Sequence, residues 1–373
     1  MRLRRFLVAA LAALGLAAGA GGALGAPVMA LQDDQLPNLQ GPVLQARLDL
    51  LAATGTRVTR IDILWSDVAP TRPRDATDPA DPAYRWGRYA AIVKGLAARG
   101  IVPIISFYKA PRWAARLPRD DSAPRTAEGA QFAGAIARRY SGSFPDPEGG
   151  TLPLVRRIEV WNEPNIAQFW YPQCRRQGGR YVLDSARAYA ALLTASYREI
   201  RRASPQAIVV GGVSGPVGDS VCQAADSSVG TLDFAEVLVR ERAPLDAWSQ
   251  HLYPIGSPLQ AYFVPSWSTM PRLTRLVDKL RRGAPIYVTE TGYHTSYNRY
   301  HRYFVSEAQQ AAWVDETFQA ASRYPRVEVA VWFNLQDNPF WTGGLLHADG
   351  SRKPAYDRFG ALARRDVPAA WRS

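Results

Sequence analysis

The sequence predicts an α/β fold, a (β/α)8 TIM barrel, from three observations. Short β-branched runs alternate with amphipathic helical runs about eight times, the pattern of parallel strands joined by crossover helices. A chain of 373 residues with 47% hydrophobic content suits one barrel of ordinary size plus a leader and enlarged loops. Two glutamates, Glu163 and Glu290, stand where the fourth and seventh β-branched runs end, far apart in the chain, and a closed barrel gathers distant strand ends at one mouth.

The strands are expected near 28–31, 57–64, 102–107, 157–161, 207–212, 247–251, 286–289 and 327–334. Helical patterns fill the gaps at 43–53, 84–99, 126–140, 183–203, 233–242, 272–282, 306–322 and 355–364. In the second of these, Tyr89, Ile92, Val93 and Leu96 recur at helical spacing and give the helix one face with which to cover the sheet. Long loops rich in Pro, Gly, Asp or Ser, at 69–82, 110–124, 173–179, 215–230 and 255–270, each follow a strand, and loops at that end build the active site of a barrel. The segment 142–154 precedes a strand and reads as a turn on the opposite face.

The amino terminus, Met1-Arg2-Leu3-Arg4-Arg5 followed by an apolar stretch from Phe6 to Ala20, has the charged start and short greasy centre of an export signal. We assign 1–26 to a signal peptide, cleaved between Ala20 and Ala26, and 27–373 to the barrel domain. A secreted or cell-envelope location follows, with no stable membrane insertion once the signal is removed, because no later stretch is long and apolar enough to span a bilayer. In that oxidising setting Cys174 and Cys222, the two cysteines, are expected to form a disulfide bond between two mouth loops.

The net charge of +12 is carried almost wholly by arginine, since Lys94, Lys109, Lys279 and Lys353 are the lysines. The basic residues are spread over helical stretches such as Arg138-Arg139 and Arg201-Arg202. They lack the clustering with aromatics that nucleic-acid binding requires, so no nucleic-acid partner is expected. Four scattered histidines show no metal-ligand spacing, and no cofactor is expected.

Paired carboxylates at a barrel mouth are the minimum equipment for cleaving a glycosidic bond, one donating a proton and one attacking the sugar carbon. Their surroundings must keep one protonated and the other ionised. In Trp161-Asn162-Glu163-Pro164-Asn165, Glu163 is the expected proton donor and Asn162 the amide that binds a sugar hydroxyl. Strict alternation would send these neighbours to opposite faces, so a bulge or strand-end twist is expected there. Glu290 ends an apolar strand and is the expected nucleophile.

Around this pair, Glu159 reads as a buried partner for Arg60, and Arg60 as its counterion or as a neighbour that keeps Glu290 ionised. His251 and Tyr253, two apart, share a face; the tyrosine hydroxyl would orient Glu290 and the imidazole bind substrate or a carboxylate. Trp332 and Asn334 likewise share a face, with Trp332 as the floor on which a sugar ring stacks. Trp65, Phe107, Tyr108, Trp113, Trp170, Tyr293 and Trp341 are further aromatics of the mouth segments.

These residues resemble a known group. Trp-Asn-Glu-Pro-Asn at 161–165, Thr-Glu at 289–290, the His-x-Tyr of 251–253 and Trp332 look like the signature of clan A retaining glycoside hydrolases. The stretch from Glu159 to Asn165, followed by Phe169-Trp170, is most similar to family 39, which includes β-xylosidases, α-iduronidases and bacterial exopolysaccharide glycosidases. The resemblance implies hydrolysis of an O-glycosidic bond in an oligo- or polysaccharide through a covalent glycosyl-enzyme, with Glu163 as acid/base and Glu290 as nucleophile. It also implies substrate-binding roles for Arg60, Asn162, His251, Tyr253 and Trp332, and a cis peptide bond at Trp332-Phe333. The chain departs from the family in having no room for an accessory β-sandwich and in continuing Thr291-Gly292-Tyr293 after the nucleophile. A barrel that binds sugar without cleaving it, or a transglycosidase sharing the covalent intermediate, are the alternatives.

Overall fold

The computed structural model describes residues 26–260, 266–297 and 302–372; the expected signal peptide lies, apart from Ala26, outside the described residues. Among the described residues ten strands occur in chain order: β1 (Val28–Gln32), β2 (Val58–Leu64), β3 (Val102–Tyr108), β4 (Arg157–Val160), β5 (Cys174–Gln177), β6 (Arg180–Leu183), β7 (Ile208–Ser214), β8 (Ala247–Leu252), β9 (Ile286–Thr291) and β10 (Val327–Phe333). Eight of them form one parallel sheet in the order β1-β10-β9-β8-β7-β4-β3-β2. The remaining two, β5 and β6, pair as an antiparallel hairpin that begins in the expected loop 173–179 and ends at Leu183, where a helix was expected to start. Side chains bridge the seam between β1 and β2. Thr59 Oγ1 donates to the Leu31 carbonyl at 2.6 Å, and Gln32 Nε2 to Asp62 Oδ2 at 3.0 Å.

The helices are α1 (Gly41–Ala53), the single turn α2 (Trp65–Val68), α3 (Gly87–Ala97), α4 (Thr126–Arg139), α5 (Ser185–Ala203), α6 (Thr231–Arg240), α7 (Met270–Leu280), α8 (Glu307–Ser322) and α9 (Pro354–Ala363). All but α2 fall on the expected helical patterns. No helix of the described residues is long and apolar enough to cross a membrane.

Alternation along each strand divides the core in two. Outward residues such as Ile61, Ile105, Ile158, Val288 and Trp332 pack under the helices. Inward residues Val58, Ile104, Val210, Ala247, Tyr287 and Val329 fill the barrel interior together with Trp371 from the carboxyl-terminal segment. That segment plugs the floor: the Arg157 guanidinium stacks 3.5 Å above the Trp371 ring and donates to the Ala370 carbonyl at 2.6 Å. Nearer the mouth the interior turns polar, beginning with Ser249 and Thr289, whose hydroxyls lie 2.5 Å apart.

The expected disulfide is present. Cys174 and Cys222 are bonded, closing a loop of 48 residues between the hairpin and the loop after β7. In the chain-entropy account, closing such a loop stabilises the fold by at most ~4 kcal/mol.

Candidate active site

The Trp161–Asn165 stretch leaves β4 through a twisted backbone. Trp161 and Glu163 have φ of 75° and 41°, the left-handed region that L side chains enter only when surrounding contacts hold them there. This is the strand-end twist that alternation demanded, and it brings both Asn162 and Glu163 to the mouth. The contacts that hold it are local. Trp161 is fully buried and donates its indole N–H to the Phe169 carbonyl at 2.9 Å. Asn165 accepts from Gly215 N at 2.7 Å and donates to the Val229 carbonyl at 2.8 Å, fastening the motif to the loop after β7. Gly215 must stay bare, since a Cβ there would lie 2.7 Å from Glu163 Oε1 and 2.3 Å from Ile166.

Glu290 reaches the mouth by a different device. Tyr287 points inward, so simple alternation would turn Glu290 outward. A register shift between β8 and β9, where Gln250 pairs with Val288 but His251 with Glu290, inserts the extra residue that re-aims it. One oxygen from each of Glu163 and Glu290 and a ring nitrogen of His251 all lie within 4.8 Å of one another.

Arg60 organises this group from a fully buried position. Its Nε donates to Glu159 Oε2 at 2.6 Å, one Nη to Glu290 Oε1 at 2.8 Å, and the other to Asn162 Oδ1 at 2.8 Å. Both expected roles of Arg60 are therefore present at once. Desolvation works against its charge, but Asp62, Glu159 and Glu290 more than compensate and strengthen its hold on the proton. The second Glu290 oxygen accepts from the Tyr253 hydroxyl at 2.6 Å. With both oxygens accepting short hydrogen bonds, the contacts are those of an ionised carboxylate. Burial nevertheless raises the Glu290 carboxyl above the ordinary glutamate range, an effect opposed by His251 and Arg60 and reinforced by Glu163.

His251 stands between the two glutamates, its Nδ1 2.8 Å from Glu163 Oε1 and 3.5 Å from Glu290 Oε2. Burial disfavours the imidazolium, but Glu290 and Glu163 outweigh it and raise the pKa. Among the described residues, Glu163, His251 and Glu290 are the cluster with the donor set for a metal ion. The 2.8 Å Nδ1–Oε1 contact is a hydrogen-bond distance that requires a proton, and a cation would have to displace it.

The structure corrects the role expected of Trp332. It is fully buried on the outer face of β10, its ring 6.1 Å from Tyr293 and its indole N–H donating to the Gly343 carbonyl at 3.2 Å, so it forms no floor. In the parallel register Leu31 opposes Trp332 and Gln32 opposes Phe333; Gln32 faces inward, and Phe333 with it. Phe333 lies half-buried with its ring 5.0 Å from Trp341, which packs 5.1 Å from Tyr253. The expected cis bond also moves by one residue, to Phe333-Asn334. Of the other aromatics, Trp65, Phe107 and Trp170 are core packing with 0–1% exposure and Tyr293 and Trp341 are buried, while Tyr108 and Trp113 are half-buried.

Residues that sequence reasoning passed over complete the pocket. Asp62 accepts from Arg60 and Gln32, and its side chain keeps 19% exposure. Asp34, following β1, accepts from Asn338 Nδ2 at 3.0 Å, and burial raises its carboxyl above the ordinary range. Asp62 carried a readable signal, because it lies two residues beyond Arg60 on the same strand face.

Among solved structures the chain is similar to a family 39 glycoside hydrolase from the gut symbiont Bacteroides cellulosilyticus WH2, with 21% identity and a TM-score of 0.64 over 91% of this chain and 64% of that one. It is also similar to a family 39 β-xylosidase from Caulobacter crescentus, at 20% identity and TM-score 0.62 over 91% and 72% of the two chains. A glucosidase from Croceicoccus marinus aligns at 15% identity and TM-score 0.65 over 91% and 67%. The chain thus spans somewhat less than two thirds of the Bacteroides enzyme. No protein-family model and no curated protein matches it. Likeness at these identities establishes the (β/α)8 barrel fold that these glycosidases share.

Proposed function

We propose that this chain is a retaining glycoside hydrolase that cleaves O-glycosidic bonds of an oligo- or polysaccharide. The observation that carries the reading is the pair of glutamates at one mouth, with carboxylate oxygens within 4.8 Å. That approach of one oxygen from each glutamate suits the ~5–5.5 Å carboxyl separation of a retaining pair better than the ~6.5–9.5 Å of an inverting pair. The fold neighbours include enzymes described as a β-xylosidase and a glucosidase, which supports the same reaction class.

The roles follow from the donors around each carboxylate. Glu290, ionised and oriented by Arg60 and Tyr253, attacks the anomeric carbon and forms the glycosyl ester. Glu163, bonded to His251 rather than to a permanent cation, protonates the departing oxygen. It then takes a proton from the water that releases the sugar. Asn162 offers Arg60 its carbonyl and keeps its NH2 for a hydroxyl of the reacting sugar. His251 holds a proton against Glu163, and Phe333 with Trp341 offers the aromatic wall beside the ring. No cofactor enters this scheme.

Long mouth loops favour a cleft for a polymer, hence endo action. The amino-terminal sequence pattern supports export to the envelope or medium. The test is a panel of aryl glycosides and bacterial and plant polysaccharides. Turnover by the wild type, lost in Glu163→Ala and Glu290→Ala, is the expected result. A folded wild type that binds but never cleaves any of them would reduce the protein to a sugar-binding barrel. Export is checked separately by the amino terminus of the mature protein, expected between residues 20 and 27.

A further inference from the structure

Charge is distributed unevenly around the mouth. The segments 109–125 after β3 and 173–184 after β4 carry eight basic residues against three acidic ones, whereas the loop at 215–230 has two aspartates and no base, and 253–270 has no charge at all. The basic side chains are exposed and under-neutralised. Arg116 and Arg175 share one acid, Asp184, at 3.5 and 3.1 Å. Lys109, Arg112, Arg176 and Arg180 are exposed, and among the described residues none has an acidic partner within salt-bridge distance.

This rim is built rather than loose. Ala123 N donates to the Tyr171 carbonyl and Tyr171 N to the Asp121 carbonyl, at 2.9 and 2.8 Å, tying the two segments edge to edge. Gln173 Nε2 donates to the Pro164 carbonyl at 3.0 Å, directly after Glu163, and the neighbouring Cys174 is bonded to Cys222. The hairpin that displays Arg175, Arg176 and Arg180 is therefore anchored to the loop of the proton donor. Across the mouth, the catalytic carboxyls have Asp34 and Asp62 nearby, and among the described residues the guanidinium that reaches them, Arg60, is already engaged by Glu159, Glu290 and Asn162.

We infer that the substrate is an anionic heteropolysaccharide, bound with a neutral sugar in the pocket and with carboxylate-bearing units running over the cationic rim on the leaving-group side. The inference rests on the hydrolase reading, since the leaving group must lie against the carboxyl that protonates it, and Glu163 adjoins the rim. An anionic unit in the pocket would meet Asp34, Asp62 and Glu290, where among the described residues the nearby guanidinium, Arg60, is already paired. On the rim it would meet guanidinium groups able to grip a carboxylate bidentately.

The test is binding of Glu163→Gln, which retains bound polymer, to xanthan and to gellan, each compared with its carboxyl-reduced form by affinity electrophoresis. At least one native polymer is expected to bind about tenfold tighter than its reduced form, with the preference fading at high salt. The combined substitution Arg112→Ser, Arg176→Ser and Arg180→Ser should abolish that preference. An equal charge change away from the mouth, Arg240→Ser in α6, Arg282→Ser in the turn after α7 and Arg358→Ser in α9, should preserve it. Absence of any preference for the native polymers, or equal loss in the two triple variants, overturns the inference, the latter by reducing it to bulk charge. Binding is read without turnover, so a chain that prefers the anionic polymer yet cleaves no glycoside keeps the rim as a binding surface and loses the hydrolase reading instead.

Discussion

Two arginines are buried inside the barrel at opposite ends, and their company differs. Arg157 lies at the floor, stacked on Trp371 and bonded to a backbone carbonyl; Glu328 acts on it electrostatically and bonds the same Trp371, but among the described residues no carboxylate reaches ion-pair distance. Arg60 lies below the mouth, in contact with Glu159, Asp62 and Glu290. The first guanidinium is used as a flat, weakly hydrated plate that closes a hole. The second is used as a charge that holds three carboxylates in one small volume. The same side chain on the same inner face thus packs against a ring at one end and gathers carboxylates at the other, and the difference lies in which of the two it touches directly.

Removing the carboxylates themselves should do the most damage. Glu290→Ala should lower kcat on aryl glycosides on the order of 10⁴-fold or more. Glu163→Ala should cost ~10²–10⁴-fold, with the deficit shrinking for activated leaving groups that need no proton. A Glu163→Ala deficit independent of leaving group would contradict its role as acid.

The arginines come next. Arg60→Met strands Glu159 and Glu290 without their cation, and loss of one partner of a buried pair destabilises by ~3–5 kcal/mol, so both melting temperature and activity should fall. Arg157→Met keeps an apolar plate over Trp371 but loses one hydrogen bond, worth about 0.5–3 kcal/mol, and the longer-range attraction to Glu328. Its melting temperature should drop less, with kcat retained in the folded protein. Equal kinetic damage from the two substitutions would erase the distinction between floor and mouth.

Tyr253→Phe removes one hydrogen bond to a charged group, ~1.5–3 kcal/mol, and should lower kcat roughly 10- to 100-fold with little change in fold stability. The smallest effect is on pH dependence. Burial raises the Glu290 carboxyl, so the proposed nucleophile becomes protonated at a higher pH than an ordinary glutamate would. The acid limb of kcat/KM should therefore lie above the usual glutamate pKa of ~4.3; a limb below it contradicts the site geometry. For stability the His251 sign is opposite to that of a depressed acid. With its folded pKa raised, its contribution is present below the unfolded histidine value and is lost as pH rises through the folded one.

The barrel was legible because its strands are β-branched runs buried on both faces and its helices keep a clear apolar stripe, signals set by local composition. The hairpin β5–β6 was not, because Arg175-Arg176-Gln177-Gly178-Gly179-Arg180 has no strand pattern and is held by tertiary anchors, Gln173 and the Cys174–Cys222 bond. In the site, Glu163, Glu290, Arg60, Asn162, His251 and Tyr253 come together as their motifs suggested. Trp332 fails for a parity reason: with Val329 and Val331 inward, Trp332 must face the helices, and the inward aromatic is Phe333. The re-aiming of Glu290 depends on a one-residue register shift between β8 and β9, a property of paired strands that a single strand's sequence does not display.

The central claim, that two carboxylates flank one anomeric carbon and Glu290 is the one that bonds to it, is tested most directly by trapping the ester. Incubation with 2-deoxy-2-fluoroglycosides bearing activated leaving groups, followed by peptide mass mapping, should find one fluorosugar per protein, attached to the peptide containing Glu290 and absent from Glu290→Ala. Turnover of the parent glycoside with the sugar found on another residue, or with an inverted product and no ester formed, would contradict it.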